Sequence, residues 1–229
     1  MPDVLIITDP VPSPSQPSAM SAIAAEMKRA VLALGSSSTA KERPIQVEVR
    51  SISELSDLKE SNLLNQPILC PLTFKLPLWI PFTAREVFAA CEHVEELQQQ
   101  VSGWGVAIGS GVYWLPIVLT AKGPLYAEAI SLSDRSSSAY HQPFHLTDAQ
   151  RQPLYALGNR LLRSLNASSG VYLVQFGWDG NQVQFDRLIP FPDRPAIASV
   201  GVQTPDLFTC HWQCLTHQPI RDLSVLSAR

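Results

Sequence analysis

The stretch VYLVQFGWDGNQVQFDRLI, residues 171–189, carries the strongest structural signal in the chain. Two runs rich in β-branched and aromatic residues, 171–178 and 182–189, flank the tripeptide Asp179-Gly180-Asn181. An Asp-Gly pair between two such runs is a strong signal for a tight turn that joins neighbouring antiparallel strands. The sequence therefore predicts a β-hairpin over this stretch.

The residues before the hairpin predict a helix and an antiparallel meander. Thr147 and Gln150 have the spacing of a capping box, and the leucine-rich face behind them predicts a helix over 150–165. The tripeptide Gly109-Ser110-Gly111 is interpreted as a tight β-turn, because no helix follows that would expose the serine as a nucleophile. The serine-rich segment 133–143 is predicted to be a mobile excursion. The strand candidates of the meander are 104–108, 112–120 and 125–131.

The N-terminal part of the chain alternates strand and helix signals. The apolar run Val4–Thr8 predicts a buried strand, and apolar residues at helical spacing from Met20 to Leu34 predict a helix. Thr83 and Glu86 form another capping box, at the start of a helix that ends near Gly103. The remaining predicted elements are a short helix around 53–64, strands over 45–49 and 67–74 and a last helix over 204–215.

Together these elements predict an α/β fold of the α+β kind, a mixed β-sheet with an antiparallel meander and a hairpin, covered by about four helices. At 229 residues the chain is long for one domain and short for two. We therefore predict a single domain over 1–229. The alternative division has an N-terminal lobe, 1–102, and a C-terminal lobe, 103–229.

The composition argues against nucleic-acid binding and against membrane insertion. The formal net charge is −3 and no basic run is present, so the electrostatic footprint of a nucleic-acid-binding protein is missing. No apolar stretch approaches the roughly 20 residues of a membrane helix, and no signal peptide is recognisable. The four cysteines are therefore interpreted as reduced thiols of a cytoplasmic protein. Charged residues are only 16% of the chain, against ~25% in typical domains, which favours a surface covered in part by a protein partner.

One segment, CHWQCLTH at residues 210–217, has a metal-like pattern. On a helix, Cys210, Cys214 and His217 would share one face and reach one ion. Zinc sites, however, normally pair closely spaced cysteines with a second ligand pair elsewhere, and the isolated Cys70 and Cys91 give no such pair. Core packing of the cysteines is the favoured interpretation, and zinc binding is the alternative.

The least ordinary segment is FDRLIPFPDRP, residues 185–195. Its prolines fix the loop before anything binds, so that ordering it costs little entropy. The guanidinium groups of Arg187 and Arg194 offer planar forks to a carboxylate or a phosphate. The alternative is that Asp186–Arg187 and Asp193–Arg194 form local ion pairs on a stiff connection. Three aromatic residues near prolines, which we predict to be exposed, complete the candidate binding set, since such residues anchor interfaces: Trp79, Phe82 and Phe191.

From Trp114 onward, the order of elements resembles the C-terminal half of the ATP-grasp carboxylate–amine ligases. The resemblance implies magnesium ligands on the closing strand, where the family has Glu and Asn and this chain has Asp186 and Arg187. It also implies Mg-ATP as cofactor and a pair of phosphate-binding lysines, for which Lys75 and Lys122 are the candidates. The elements that carry the resemblance are 114–120, 125–131, 150–165, Gly170-Val171-Tyr172-Leu173-Val174 and Gln184-Phe185-Asp186-Arg187 with Pro190 and Pro192.

Three functional hypotheses follow. We favour a non-catalytic binding or assembly protein that acts through the 185–195 loop and needs no cofactor, because phosphate loops, zinc helices and serine elbows are absent from the sequence. The alternative is an ATP-dependent ligase in which Asp186 holds magnesium and Lys75 or Lys122 contacts phosphate. The third is a zinc protein.

Overall fold

The structure is a computed structural model that describes residues 3–10, 19–35, 44–55, 67–134, 137–180 and 182–225. Its internal contacts divide the chain into two compact units, Met1–Thr83 and Ala84–Arg229. The helices of 85–102 therefore belong to the second unit, whereas the division considered from the sequence placed them in an N-terminal lobe. The mixed α/β fold class predicted from the sequence is confirmed.

The first unit is a three-stranded parallel sheet. Strand β1 (Val4–Thr8) lies between β2 (Val47–Ser51) and β3 (Ile68–Pro71) and is buried along its whole length. Parallel neighbours need a crossover connection, and α1 (Ala19–Gly35) supplies it between β1 and β2. The short helix α2 (Ile52–Leu55) follows β2 directly and buries Leu55 in the core of this unit.

The second unit is built on a seven-stranded sheet with the strand order β4-β10-β9-β5-β7-β8, in which β6 also pairs with β5. The predicted hairpin is β9 and β10, and the meander consists of β5 to β8. The strands are β4 (Ala107–Ile108), β5 (Tyr113–Thr120), β6 (Gly123–Tyr126), β7 (Ala129–Asp134), β8 (Ser137–Phe144), β9 (Gly170–Asp179) and β10 (Gln182–Ile189). A separate two-stranded sheet pairs β11 (Gln203–Thr204) with β12 (Ser224–Val225).

Helices pack on this sheet and bury its apolar side chains. The largest fully buried ones in the unit are Phe176, Phe185, Phe208 and Leu115. The helices are α3 (Arg85–Glu92), α4 (Val94–Ser102), α5 (Asp148–Ser164), the 3-10 helix Arg194–Ser199 and α6 (Leu207–Leu215).

The helix predicted over 83–103 is two helices, because the helical conformation is interrupted at His93. The ring Nδ1 of His93 lies 2.7 Å from the Ala89 carbonyl oxygen at this break. The predicted capping box of Thr83 and Glu86 is wrong, since the N-cap residue is Ala84 and no side chain caps it. The capping box at Thr147 is confirmed: the Gln150 side-chain oxygen accepts from the Thr147 amide at 2.9 Å.

Three further predictions of local structure are wrong. The segment 133–143 is not an excursion, since β8 pairs antiparallel with β7; residues 135–136 lie outside the described ranges. The strand predicted over 104–108 is only two residues long, and it pairs parallel with β10 instead of joining the meander. The last helix begins at Leu207, because the Asp206 carboxylate accepts from the Thr209 amide and caps it.

Within the described ranges, no helix combines the length and the apolar character needed to cross a bilayer.

A buried histidine makes the stability of this fold dependent on pH. His211 of α6 is buried and its Nδ1 accepts the backbone N–H of Val171 at 3.1 Å, while burial lowers the pKa of the imidazole to about 4. The unfolded chain therefore binds more protons than the folded one below the ordinary histidine pKa, so stability falls as the pH drops through that window. We expect a loss of about 2 kcal/mol between pH 7 and pH 5, measured by urea unfolding.

The matched variant is His211→Gln, which keeps an acceptor for Val171 but does not titrate. Its unfolding free energy should change less between the two pH values than that of the unaltered protein. Equal losses in both proteins would contradict this assignment.

Candidate functional site

A crossover of four residues, 109–112, which begins with Gly109-Ser110-Gly111, runs over the backbone of the hairpin. It leaves β4, which lies beside β10, and leads to β5, which lies on the other side of β9. The Gly109 amide donates to the Phe185 carbonyl at 3.0 Å, and a Cβ atom on Gly111 would overlap the carbonyl group of Phe176. The prediction of a simple β-turn is therefore wrong. Only glycine allows the backbone to pass this close to the strand.

Asp186 holds the crossover in place from a β-bulge. The register of β10 against β9 shifts between Phe185 and Arg187, so Asp186 is the extra residue. Its buried carboxylate accepts the Gly111 amide on Oδ2 at 2.8 Å and the Arg187 Nε–H on Oδ1 at 3.2 Å. The Asp186 carbonyl accepts from the Gln98 side chain at 2.8 Å. Both carboxylate oxygens are thus engaged by the protein itself.

Beyond the bulge, three side chains of adjacent strands lie in one row. Trp114 of β5 is paired with Gln175 of β9, and Gln175 is paired with Arg187 of β10. Directly paired residues present their side chains on the same face of a sheet. We call this set, Trp114, Gln175 and Arg187, the Trp114 row. The side-chain Nε2 of Gln175 donates to the Gly111 carbonyl at 2.7 Å, which connects the row to the crossover.

The Trp114 row combines an exposed cation with an unused buried donor. The Arg187 side chain is 47% exposed, although it pairs with Asp186. Trp114 is 7% exposed, and its indole N–H has no hydrogen-bond partner among the described residues. A buried donor without a partner costs about 1–3 kcal/mol, so an acceptor from a ligand would be stabilising there.

Tyr140 of β8 links the Trp114 row to the second half of the 185–195 segment. Its ring meets the Trp114 ring edge to face, with centroids 5.3 Å apart. Burial raises the pKa of Tyr140, the negative charge of Asp193 raises it further, and the positive charge of Arg194 lowers it. Asp193 and Arg194 therefore lie near enough to Tyr140 to act on it electrostatically. The local ion pair predicted for Asp186 and Arg187 is present.

The aromatic residues of the candidate binding set are less exposed than the sequence indicates. Phe191 is only 4% exposed and its ring lies 5.6 Å from that of Phe88, so the prediction that it is exposed is wrong. Trp79 is partly buried against the core of the first unit, and Phe82 is half-buried. Their role in binding stays a prediction.

Lys122, one of the two lysines proposed to contact phosphate, lies far from Asp186 within the second unit. Asp186 contacts Gly111, just before β5, whereas Lys122 lies in the turn after β5. The eight residues of β5 span roughly 25 Å, so one phosphate group cannot bridge the two. Lys75 belongs to the first unit. Among the described residues, no group of three or more His, Cys, Asp or Glu is placed to hold a metal ion.

The cysteines of α6 are buried thiols that donate to carbonyl groups. Cys210 donates to the Pro205 carbonyl and Cys214 to the Leu119 carbonyl, each at 3.5 Å. Burial raises the pKa of both thiols, that of Cys214 to about 12. The helix on which the zinc hypothesis depended ends at Leu215, so His217 is not part of it.

Three residues of this site were not predicted as site residues from the sequence: Gly111, Trp114 and Gln175. Their roles follow from register and from a contact between distant segments, which periodicity does not reveal. The one usable signal was a pair of glycines, Gly111 before β5 and Gly177 inside β9, because glycine within a strand indicates close approach of another backbone.

Comparison with solved structures identifies the fold. The chain superposes on glycinamide-RNase-transformylase T from Mycobacterium tuberculosis with a TM-score of 0.67 and 14% identity, over 98% of this chain and 82% of that one. For N5-carboxyaminoimidazole ribonucleotide synthetase from Thermus thermophilus the TM-score is 0.70, with 10% identity over 96% and 79% of the two chains. For an ADP complex of an N5-carboxyaminoimidazole ribonucleotide synthetase the TM-score is 0.69, with 9% identity over 99% of this chain and 80% of that one.

These similar structures are ATP-grasp enzymes, and the chain has their fold. The resemblance seen in the order of its C-terminal elements is therefore confirmed, and it extends over nearly the whole chain. At these identities the likeness concerns the fold alone. No protein-family model and no curated protein matches the sequence.

The bulge makes a stability prediction. Replacement of Asp186 by Ala leaves the Gly111 amide without its buried acceptor, so we expect a loss of about 1–3 kcal/mol in the free energy of unfolding. Chemical denaturation measures it. The control is Asp222→Ala, in which an exposed carboxylate is removed. Equal stabilities of the two variants would show that the hydrogen bond between Asp186 and Gly111 contributes nothing to the free energy of unfolding.

Proposed function

We propose that this chain is a nucleotide-binding protein of ATP-grasp fold that receives the phosphate end of its ligand at the Trp114 row without a divalent metal. The observation that carries the proposal is the placement of Arg187 and Trp114 in register on one sheet face, with the Arg187 side chain exposed and the buried indole N–H of Trp114 without a partner among the described residues. Its ligand class is supported by the ADP complex among the similar structures.

The chemistry of the row suits an oxyanion. A guanidinium group presents a planar set of donors that matches two phosphate oxygens, and it stays charged at every physiological pH. The Trp114 N–H adds a neutral donor that has no acceptor among the described residues. Tyr140, packed on Trp114, contributes an aromatic ring close to this donor. A phosphate bound here would satisfy a donor that is otherwise buried at a cost.

The residues present do not fit a magnesium ion. Divalent magnesium takes oxygen ligands, chiefly carboxylates and phosphates. The carboxylate available at the bulge is that of Asp186. Its two oxygens already accept hydrogen bonds from the Gly111 amide and the Arg187 side chain. The positive charge of Arg187 also opposes a cation beside it. We therefore assign these residues to ligand binding alone.

The second candidate is an ATP-dependent ligase, and a specific observation favours it: two of the similar structures are synthetases with TM-scores of 0.69 and 0.70. This function needs magnesium at Asp186 and phosphate contacts from Lys75 or Lys122. The favoured interpretation from the sequence, an assembly protein, gains no support from Phe191, which is buried. A protein partner stays a prediction.

Calorimetric titration with ADP and ATP tests the proposal, once with magnesium and once with EDTA. We expect both nucleotides to bind in EDTA, and Arg187→Gln to weaken binding by about tenfold or more, as loss of a charged hydrogen bond does. Arg187→Lys should be intermediate, because it keeps the charge but loses the fork. Thermal unfolding of each variant shows whether the fold is retained.

The control is Arg163→Gln, the same change of charge on the exposed surface of α5. Binding that requires magnesium and is lost in Asp186→Asn would favour the ligase. The proposal fails if neither nucleotide binds in EDTA, or if Arg187→Gln and Arg163→Gln bind alike.

A further inference from the structure

A cavity of the Ala84–Arg229 unit lies at the opposite end of β5 from the Trp114 row. It has a volume of about 590 Å³ and lies between the turn that joins β5 to β6 and the segment that follows α6. This volume is within the roughly 300–1,000 Å³ of small-molecule sites. Its apolar wall consists of Pro124, Leu125, Pro219 and Ile220.

The charged part of the lining is cationic. Lys122 and Arg221 both line the cavity, His217 adds an imidazole, and no carboxylate belongs to the lining. Neither Lys122 nor Arg221 forms an ion pair with a carboxylate of the described residues. Concave sites lined by one sign of charge concentrate ligands of the other sign. The cavity therefore selects for anions.

The turn that carries Lys122 is fixed by hydrogen bonds. Thr120 and Gly123 are paired across the turn, and the Thr120 hydroxyl donates to the Gly123 carbonyl at 2.9 Å. The same hydroxyl accepts the Lys122 amide at 3.1 Å. The Lys122 backbone is thus held before a ligand arrives, which lowers the entropic cost of binding.

The other side of the cavity is held by the end of α6. The Gln218 amide donates to the Gln213 carbonyl at 2.8 Å and the His217 amide donates to the Cys214 carbonyl at 3.2 Å, which is a Schellman motif. Glycine is usual at the left-handed position of this motif, yet His217 occupies it with φ 54°. A strained residue whose side chain lines a cavity is expected where that side chain is used.

We propose that this cavity binds a small organic anion, with its phosphate or carboxylate group between Lys122 and Arg221 and its apolar body against Leu125 and Ile220. The site is separate from the Trp114 row, so it does not depend on the nucleotide proposal. Its ligand is amphipathic because the lining is: it contains two cations and an imidazole together with prolines and aliphatic side chains.

Titration calorimetry with three matched probes tests the proposal: phenyl phosphate, benzoate and the uncharged benzamide. We expect at least one of the two anions to bind, and benzamide not to bind at millimolar concentration. Tighter binding of phenyl phosphate identifies a phosphate ligand, and tighter binding of benzoate identifies a carboxylate ligand. Each of Lys122→Gln and Arg221→Gln should weaken the anion by about tenfold, and the double variant should abolish binding.

The control variant is Lys28→Gln, an exposed cation of α1 in the other unit, which should leave the affinity unchanged. Both cavity cations are exposed, so their variants should keep the fold, and thermal unfolding verifies this. The proposal is overturned if benzamide binds as tightly as the anions, if the double variant keeps its affinity, or if none of the probes binds.

Discussion

The hydrogen bond between the buried Asp186 carboxylate and the Gly111 amide is the constraint on which the second unit depends. It joins two segments that are 75 residues apart and fixes the crossover on top of the hairpin. Because the crossover connects β4 to β5, the same bond determines where β5 begins relative to β9. The pairing of Trp114 with Gln175, and of Gln175 with Arg187, follows from that register.

This constraint also explains the chemical character of the site. A carboxylate at a bulge can bind a cation. Here, however, both oxygens of the Asp186 carboxylate accept hydrogen bonds, one from the Gly111 backbone and one from the Arg187 guanidinium group. What remains accessible beside it is positive charge. The chain thus combines the ATP-grasp fold with the exposed positive charge of Arg187 beside the bulge. Lys122 and Arg221 add exposed positive charge at the cavity beside the other end of β5.

Local signals in the sequence were enough for the hairpin and for the helix behind Thr147, since an Asp-Gly turn and a capping box act over a few residues. The break at His93 was not predictable, because apolar residues keep their helical spacing through it. The roles of Asp186 and Lys122 depend on which end of β5 each one reaches. That is a property of strand order, which neither composition nor periodicity contains.

The crossover also has a consequence for the order in which the unit assembles. The crossover passes over the hairpin, so it can take its native path only when β9 and β10 are already paired. The hairpin closes a short loop, whereas β4 meets β10 across a much longer stretch of chain, and loops with greater sequence separation close at a higher entropic cost. We expect the hairpin to form early and the docking of β4 to come late, so that the two-residue edge strand acts as a latch on a sheet that has already formed.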